Sequence, residues 1–184
     1  NLKTKEKKLV KKQEIPSGHN PEDYIVDRLQ CNSHDGKSIP ITITRHKNTK
    51  LDGSANLLLY GYGSYGSSMS PDFSSTRLSL INRDIIWVTA HIRGGMERGM
   101  RWWKEGKLLN KKNTFKDYIA VANFLIKNQY TSKQKIIGMG GSAGGLLMGA
   151  VINEAPELFL GIVMAVPFVD SLTTNLDHSL PLTI

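Results

Sequence analysis

Short apolar runs without alternation recur from residue 57 onward. They cover residues 57–60, 84–90, 135–139 and 161–166. Strands that are buried on both faces read as continuous apolar runs, and this is typical of parallel sheets. These four runs are therefore predicted as inner strands of one sheet.

Helical patterns separate the later runs. Residues 113–128 (NTFKDYIAVANFLIKN) place apolar side chains at helical spacing, and Thr114 with Asp117 resembles a capping box at the start of this helix. Residues 145–157 are predicted as a second helix that ends near Pro156. Strands that alternate with helices favour right-handed crossovers, so the sequence predicts an α/β fold with a mostly parallel sheet covered on both faces.

The N-terminal part has a different pattern. Residues 24–31 and 37–45 are strand-like, and the Asp35-Gly36 turn signal between them predicts an antiparallel pair. The preceding residues 16–23 contain two prolines and a glycine and are interpreted as a linker. We therefore expect the folded unit to begin at Tyr24 and to extend to residue 184.

Composition and charge exclude several classes. The 184 residues are 40% hydrophobic and 22% charged, which suits one domain with a sizeable core. The net charge of +8 falls largely on six lysines among the first twelve residues, without the interleaved aromatics of a nucleic-acid surface. We expect a solvated basic segment and no nucleic-acid partner.

The remaining composition argues against a membrane protein and against a metalloprotein. The longest nearly apolar run, residues 158–169, is shorter than the roughly 18 residues of a membrane span and is interrupted by Gly161 and Pro167. The opening residues have no apolar stretch typical of a signal peptide. Cys31 is the only cysteine, so we expect no disulfide, no thiolate metal site, no cofactor and a reducing, cytoplasmic location.

The stretch KIIGMGGSAGG, residues 135–145, carries the strongest chemical signal. It contains G-x-S-x-G centred on Ser142, with an apolar strand before it and a helix after it, as a nucleophile elbow requires. Glycines two positions before and after the serine relieve crowding at so tight a turn. A turn that is only structural remains the alternative, because glycine-rich strand-to-helix turns also bind phosphates.

Four long motifs together resemble the catalytic domain of the prolyl oligopeptidase family, and within it the branch that cleaves after Arg or Lys. They are LLLYGYGSYG, HIRGGMERGMRWWKEGKLLNKKNTFKDY, GMGGSAGGLLMGAVINEAPELF and VPFVDSLTTNLDHSLPLT. The resemblance implies an α/β-hydrolase fold capped by a β-propeller that admits only short peptides. It also implies that residues 1–15 are a remnant propeller strand and that the last strands of the catalytic domain lie outside residues 24–184.

The same resemblance assigns candidate site residues. Ser142 takes the nucleophile position, and Ala143 takes the position whose backbone N–H contributes to the oxyanion hole. Tyr62 matches the tyrosine that supplies the second oxyanion donor, and its alternative is a loop aromatic packed on the core. Tyr65 is a candidate for the substrate pocket beside Tyr62. The glutamates that would grip a basic side chain follow the PLT stretch at 181–183 in the family.

For Arg93 and several other conspicuous residues the structural interpretation is favoured over a functional one. Arg93 with Glu97 forms either a substrate clamp or a structural ion pair, and the ion pair is favoured. His91 is interpreted as a structural histidine. We expect one residue of the Trp102-Trp103 pair to be packed and the other partly exposed, with a pocket wall as the minor alternative. Lys111 and Lys112 are expected to face water.

The sequence after Ser142 does not supply a catalytic triad. A serine needs a histidine held by a carboxylate, and in this fold the order is Ser, Asp, His. Only Asp170, Asp177 and His178 follow, and they are interpreted as polar loop groups. The chain is therefore predicted to be either a serine oligopeptidase, completed by an Asp and a His from a continuation of the chain or from a complementary chain, or a catalytically silent fragment. Within enzymes, an esterase or acylaminoacyl peptidase is the second choice.

Overall fold

The described residues fold around one sheet of six strands. The structure is a computed structural model that describes residues 1–16, 18–70 and 72–180. The strands follow one another in space in the order β1-β2-β4-β3-β5-β6. Their bounds are β1 Tyr24–Asn32, β2 Ser38–His46, β3 Asn56–Tyr60, β4 Ile85–Ala90, β5 Ile136–Gly141 and β6 Phe159–Ala165.

Within the part of the chain that the structure describes, five α-helices connect or follow these strands. They are α1 Ser75–Ile81, α2 Met100–Lys104, α3 Lys112–Lys127, α4 Ala143–Glu154 and α5 Ser171–Leu176. Short 3-10 helices lie at Pro21–Asp23, Leu108–Asn110 and Pro156–Leu158. None of the helices in the described ranges is both long and apolar enough to cross a bilayer.

Strand directions confirm the prediction from hydrophobic patterning. β1 pairs antiparallel with β2, and β2 pairs antiparallel with β4. β3 runs parallel to both β4 and β5, and β5 runs parallel to β6. The sheet is mostly parallel, as the alternation of strands and helices in the sequence predicts, and the fold is the α/β-hydrolase fold that the family resemblance implies.

The two faces of the sheet bury different side chains. One face of β2 and β4 presents Ile41, Ile43, Ile86 and Val88 to the main core, which α3 and α4 cover. Alternation along each strand sends the neighbouring threonines and Trp87 to the opposite face, where α1 packs. Helices therefore lie on both faces, as predicted.

The N-terminal segment and the last strand are the least covered parts. Residues 1–15 contain one turn and no strand, so their assignment to a propeller remains a prediction. The proposed linker includes Ser17, and the PLT stretch lies within residues 181–184; both lie outside the described residues. β6 is an edge strand of the described sheet, opposite the edge formed by β1, and its Leu160, Val163 and Met164 side chains are exposed.

Arg93, just beyond β4, ties three segments together from a fully buried position. Its guanidinium donates to the Asp117 carboxylate of α3 at 2.6 and 2.8 Å. It also donates to the Asp35 carboxylate at 2.6 and 3.2 Å and to Ser33 Oγ at 3.3 Å, both in the β1–β2 loop. Burial disfavours ionisation of Asp35, but hydrogen bonds from Arg93 outweigh it and hold the pKa of that carboxyl below its usual value.

This geometry corrects two interpretations of the sequence. Arg93 pairs with Asp117 and Asp35 and not with Glu97, and its 1% exposure leaves no surface for a substrate, so the substrate-binding role is not supported. Thr114 and Asp117 do not cap α3, because the helix already begins at Lys112. Their buried side chains point back to the Arg93 segment instead, where Thr114 Oγ1 donates to the Arg93 carbonyl at 2.9 Å.

We predict that Arg93→Met lowers the free energy of unfolding by about 3–5 kcal/mol, because it leaves the Asp117 carboxylate buried without a counter-charge. Urea unfolding at pH 7 measures this change. Arg101→Met is the matched control: Arg101 is exposed and pairs with Glu105 at 2.6 Å on the helix surface, so its loss should cost less than about 1 kcal/mol. Equal effects of the two substitutions would contradict the structural role of Arg93.

Candidate active site

Ser142 lies at a sharp turn between β5 and α4, with its side chain exposed. Its backbone has φ 54° and ψ −118°, a conformation that non-glycine residues rarely adopt. The strain is held by hydrogen bonds of 2.9 Å: the Ser142 N–H donates to the Ala165 carbonyl, and the Ser142 carbonyl accepts from the Gly145 and Phe168 amides. The predicted elbow geometry is therefore confirmed.

Close backbone contacts explain the glycines around the serine. A Cβ on Gly140 would overlap the Gly144 carbonyl. A Cβ on Gly144 would lie 3.0 Å from the Gly61 carbonyl oxygen, and one on Gly145 would lie 2.5 Å from Pro167 Cα. Each glycine thus permits an approach of strand, helix or loop that a side chain would block.

The two candidate oxyanion donors lie on either side of this turn. Ala143 is the first residue of α4, so its amide is one of the four N–H groups without a partner inside the helix. Tyr62 follows β3, in a loop that the Gly61 N–H ties to the Met139 carbonyl of β5 at 3.1 Å. The Tyr62 ring passes 3.4 Å from the position that a Gly144 Cβ would occupy.

The Tyr62 phenol is suited to donate a hydrogen bond. Burial raises its pKa, and the nearby Tyr65 and Tyr60 phenols raise it further. The phenol therefore stays protonated at neutral pH and offers its O–H to an acceptor. The Tyr62 ring lies beside the first turn of α4, and its role as an oxyanion donor stays a prediction.

A cleft of about 300 Å³ opens beside the elbow. Its wall includes Ala143 and Phe168 next to the serine, and Tyr65, Trp103 and Lys107 opposite. Tyr65 is 77% exposed and has a positive φ of 56°. The structure thus places Tyr65 in a cleft at the candidate site, and its contact with a substrate stays a prediction.

The tryptophan pair behaves as predicted. Trp102 is buried, and its Nε1–H donates to the His91 carbonyl at 3.0 Å. Trp103 is half-buried in the cleft wall, with the Lys107 ammonium 3.6 Å above its ring. The minor alternative, a pocket wall, applies to Trp103 and not to Trp102.

His91 is buried and takes part in structural contacts, as predicted. Its Nε2 lies 3.0 Å from an Arg28 nitrogen and 2.8 Å from Thr42 Oγ1. Arginine can only donate, so Nε2 accepts and the ring proton is on Nδ1, which faces Glu97 Oε1 at 3.5 Å. Glu97 therefore belongs to the His91 contacts.

Lys111 is the residue at this site that sequence reasoning missed. Its Nζ donates to the Gly63 carbonyl at 2.6 Å and to Ser64 Oγ at 2.7 Å, both in the loop that carries Tyr62. The prediction that it faces water is wrong, although the adjacent Lys112 is exposed. Burial lowers the pKa of Lys111 to about 8. No periodicity distinguishes the two lysines in the sequence.

The described residues supply no base for Ser142. Asp170 caps α5 by accepting from the Thr173 amide at 3.1 Å, and Asp177 accepts from Ser179. His178 is exposed, and throughout residues 1–16, 18–70 and 72–180 no histidine forms a hydrogen bond with Ser142. In the same ranges no three His, Cys, Asp or Glu side chains are grouped as a metal site.

Comparison with known proteins places these features in one family. The model of the prolyl oligopeptidase family matches residues 71–184. Dipeptidyl aminopeptidase BI of Pseudoxanthomonas mexicana is 49% identical over all 184 residues, and protease 2 of Moraxella lacunata is 46% identical over 183 residues. The chain spans 25% and 26% of the length of these two relatives.

Solved structures give the same result. Oligopeptidase B from Leishmania major superposes with a TM-score of 0.91 and 44% identity, over 95% of this chain and 24% of that one. Oligopeptidase B from Trypanosoma brucei with covalently bound antipain gives 0.92 and 41%, over 97% of this chain and 25% of that one. The similarity therefore covers the whole described sheet.

We predict that Gly140→Ala destabilises the protein by about 1–3 kcal/mol, because the new methyl group would overlap the Gly144 carbonyl and force the elbow to shift. Thermal and urea unfolding measure the loss. Gly161→Ala in β6 is the matched control, since no atom lies within 4 Å of its added Cβ. A Gly140→Ala protein as stable as the control would show that the elbow is less tightly packed than described.

Proposed function

This chain belongs to the prolyl oligopeptidase family, and we propose that it carries the nucleophile and the oxyanion hole of a serine peptidase that hydrolyses short peptides after Arg or Lys. The observation that carries this proposal is the exposed Ser142 with its positive φ, flanked by the Ala143 amide and the Tyr62 ring. The resemblance to peptidases over the full length of the chain supports it.

The reaction follows from what each group can do. Ser142 Oγ attacks the carbonyl carbon of the scissile peptide bond while a base removes its proton. The carbonyl oxygen becomes an oxyanion, which accepts hydrogen bonds from the Ala143 N–H and the Tyr62 O–H. Collapse of this intermediate expels the amine with a proton from the base and leaves an acyl-enzyme at Ser142. Water then hydrolyses the ester by the same steps in reverse order.

The proposed enzyme needs a histidine and a carboxylate beyond the described residues. A longer chain or a separate polypeptide would supply them. Without them Ser142 is not activated, and the chain alone is expected to be nearly silent, with only the residual catalysis of roughly 10³–10⁴-fold over water that an oxyanion hole and binding can give. A silent segment or split subunit is therefore the second candidate.

Specificity for basic residues also depends on groups from elsewhere. Lys107 and Lys111 line the described cleft and no carboxylate does. The chain carries a net charge of +8, which by itself repels cationic peptides. Acidic groups that follow the PLT stretch would reverse this charge at the pocket. Residues 181–184, where that stretch lies, are outside the described part of the chain.

Two further parts of the proposal are the class of substrate and the cellular location. The elbow alone does not select a peptide over an ester or an acylaminoacyl substrate, but the relatives bear the names of peptidases, including a dipeptidyl aminopeptidase. We place the protein in the cytoplasm, because a chain with a single cysteine can form no disulfide within itself and suits a reducing compartment. That cysteine, Cys31, is buried, and burial raises its pKa to about 11, so it is an unreactive thiol.

The test inserts this chain in place of the matching quarter of protease 2 of M. lacunata, which is 46% identical, and compares this chimera with the chain alone. The substrates are peptides with Arg, Lys or Pro before the scissile bond, a dipeptidyl substrate with an unblocked amino terminus, and an ester. We expect cleavage after Arg and Lys by the chimera. Ser142→Ala should lower kcat on the order of 10⁶-fold.

Tyr62→Phe in the same chimera should lower kcat by about 10²–10³-fold, because it removes one oxyanion donor. Tyr60→Phe is the control: Tyr60 ends β3 and stacks on Trp87 at 6.2 Å between ring centroids. Activity that survives Ser142→Ala, or that is confined to the ester, would overturn the proposed function.

A further inference from the structure

Lys111 reaches across from the start of α3 to the loop after β3. It immediately precedes the first residue of that helix, and its ammonium donates to the Gly63 carbonyl and to Ser64 Oγ. Among the described residues it has no carboxylate partner, which is unusual for a lysine that is mostly buried. Its two acceptors are the two residues that follow Tyr62 in the chain.

The loop of residues 61–66 is fixed differently at its ends and in its middle. The Gly61 N–H is bonded to Met139 of β5 at one end, and the Gly66 N–H donates to the Gly94 carbonyl at 2.9 Å at the other. Between them, the hydrogen bonds from Lys111 are the ones that link residues 62–65 to another described segment. Gly63 also packs closely against Thr114 and Gly94, but the hydrogen bonds that reach this part of the loop from another described segment come from one side chain.

Gain of stability does not account for a lysine at this position. Burial penalises the ammonium and lowers the pKa of Lys111 from its usual 10.5 to about 8. The unfolded chain then binds more protons between pH 8 and 10.5, so this group makes the fold more stable as pH rises through that interval. At neutral pH, below both pKa values, the ammonium is charged and the fold bears the full cost of burying that charge. An apolar side chain of the same length would avoid this cost.

The two hydrogen bonds offset part of this penalty, but no opposite charge among the described residues of the cleft does so. The titratable groups that share the cleft are the ammonium of Lys107 and the phenol of Tyr65, and neither carries a negative charge at neutral pH. A group that is costly to the fold and is directed at one loop is typical of a functional constraint.

We propose that Lys111 is the positioning residue of the oxyanion hole, because its hydrogen bonds to Gly63 and Ser64 hold Tyr62 beside the first turn of α4. This inference rests on the proposed function, since it assigns a role toward the Tyr62 donor. An oxyanion donor contributes fully only when it is fixed before charge develops on the substrate oxygen. Loosening its support should therefore affect kcat more than KM.

The experiment measures kcat and KM of the chimera described above with Lys111→Met, which keeps the length of the side chain and removes the ammonium. We expect kcat to fall by about 10–100-fold, as for other supports of catalytic groups, and KM to change less than about threefold. Lys112→Met is the matched control, because it removes the same charge from the adjacent exposed position. It should leave both constants unchanged.

Two further variants separate positioning from general damage. Lys111→Arg keeps a cationic donor and should recover most of the lost kcat. In a Tyr62→Phe background, Lys111→Met should lower kcat by less than about twofold further, because the donor that it positions is already absent. Ser64→Ala removes one of the two acceptors and should give a smaller loss of the same kind, and it serves if Lys111→Met does not fold.

The outcomes distinguish this inference from the proposed function. A chimera whose activity does not depend on Ser142 contradicts the proposed function. A chimera that depends on Ser142 and Tyr62, but in which Lys111→Met and Ser64→Ala behave like Lys112→Met, overturns the positioning role alone. An undiminished effect of Lys111→Met in the Tyr62→Phe background also overturns it.

Discussion

The positive φ of Ser142 is the constraint around which the described structure is arranged. A serine in this conformation persists only where its surroundings hold it, and four segments do so here. β5 and α4 cross at Gly140 and Gly144, and the loop after β3 packs against Gly144. The Ala165 carbonyl at the end of β6 accepts from the Ser142 amide, and the Phe168 amide beyond β6 donates to the Ser142 carbonyl. The parallel order of β3, β5 and β6 brings these segments to the same edge of the sheet.

Two cations, the buried Arg93 and the partly buried Lys111, act on the segments around this turn in different ways. Arg93 is matched by two carboxylates and joins the β1–β2 loop to α3, so its effect is on stability. Lys111 has no matching carboxylate among the described residues and is directed at the loop of Tyr62. The Arg93 interactions stabilise the fold, and the Lys111 interactions are proposed to position Tyr62, one of the two oxyanion donors. The Gly63 carbonyl lies between them, since it bonds to Lys111 and packs against Gly94.

Local patterns predicted the fold and the elbow well, because both depend on residues that are close in sequence. Apolar runs located the parallel strands, and G-x-S-x-G between a strand and a helix located the strained turn. The partners of Arg93 could not be found in this way. Asp35 is 58 positions away and Asp117 is 24 away, and a nearer glutamate, Glu97, was the more obvious partner. Only the packing of the β1–β2 loop against α3 brings these groups together.

The interpretation of Thr114 and Asp117 failed for a related reason. Their spacing suits a capping box, but tertiary contacts to the Arg93 segment use both side chains, and the helix starts two residues earlier than Thr114. Lys111 shows the same limit. Two adjacent lysines are equivalent in a hydrophobic pattern, and only the path of the preceding 3-10 helix directs one inward and the other to water.

The central claim is that Ser142 attacks a carbonyl carbon whose oxygen is received by Ala143 and Tyr62. The most direct measurement is a crystal structure of the chimera after reaction with a fluorophosphonate, whose phosphonyl oxygen takes the place of the oxyanion. The account predicts phosphorus bonded to Ser142 Oγ, with that oxygen about 2.7–3.1 Å from the Ala143 nitrogen and the Tyr62 hydroxyl. An unmodified Ser142, or an adduct whose oxygen points away from both donors, would contradict it.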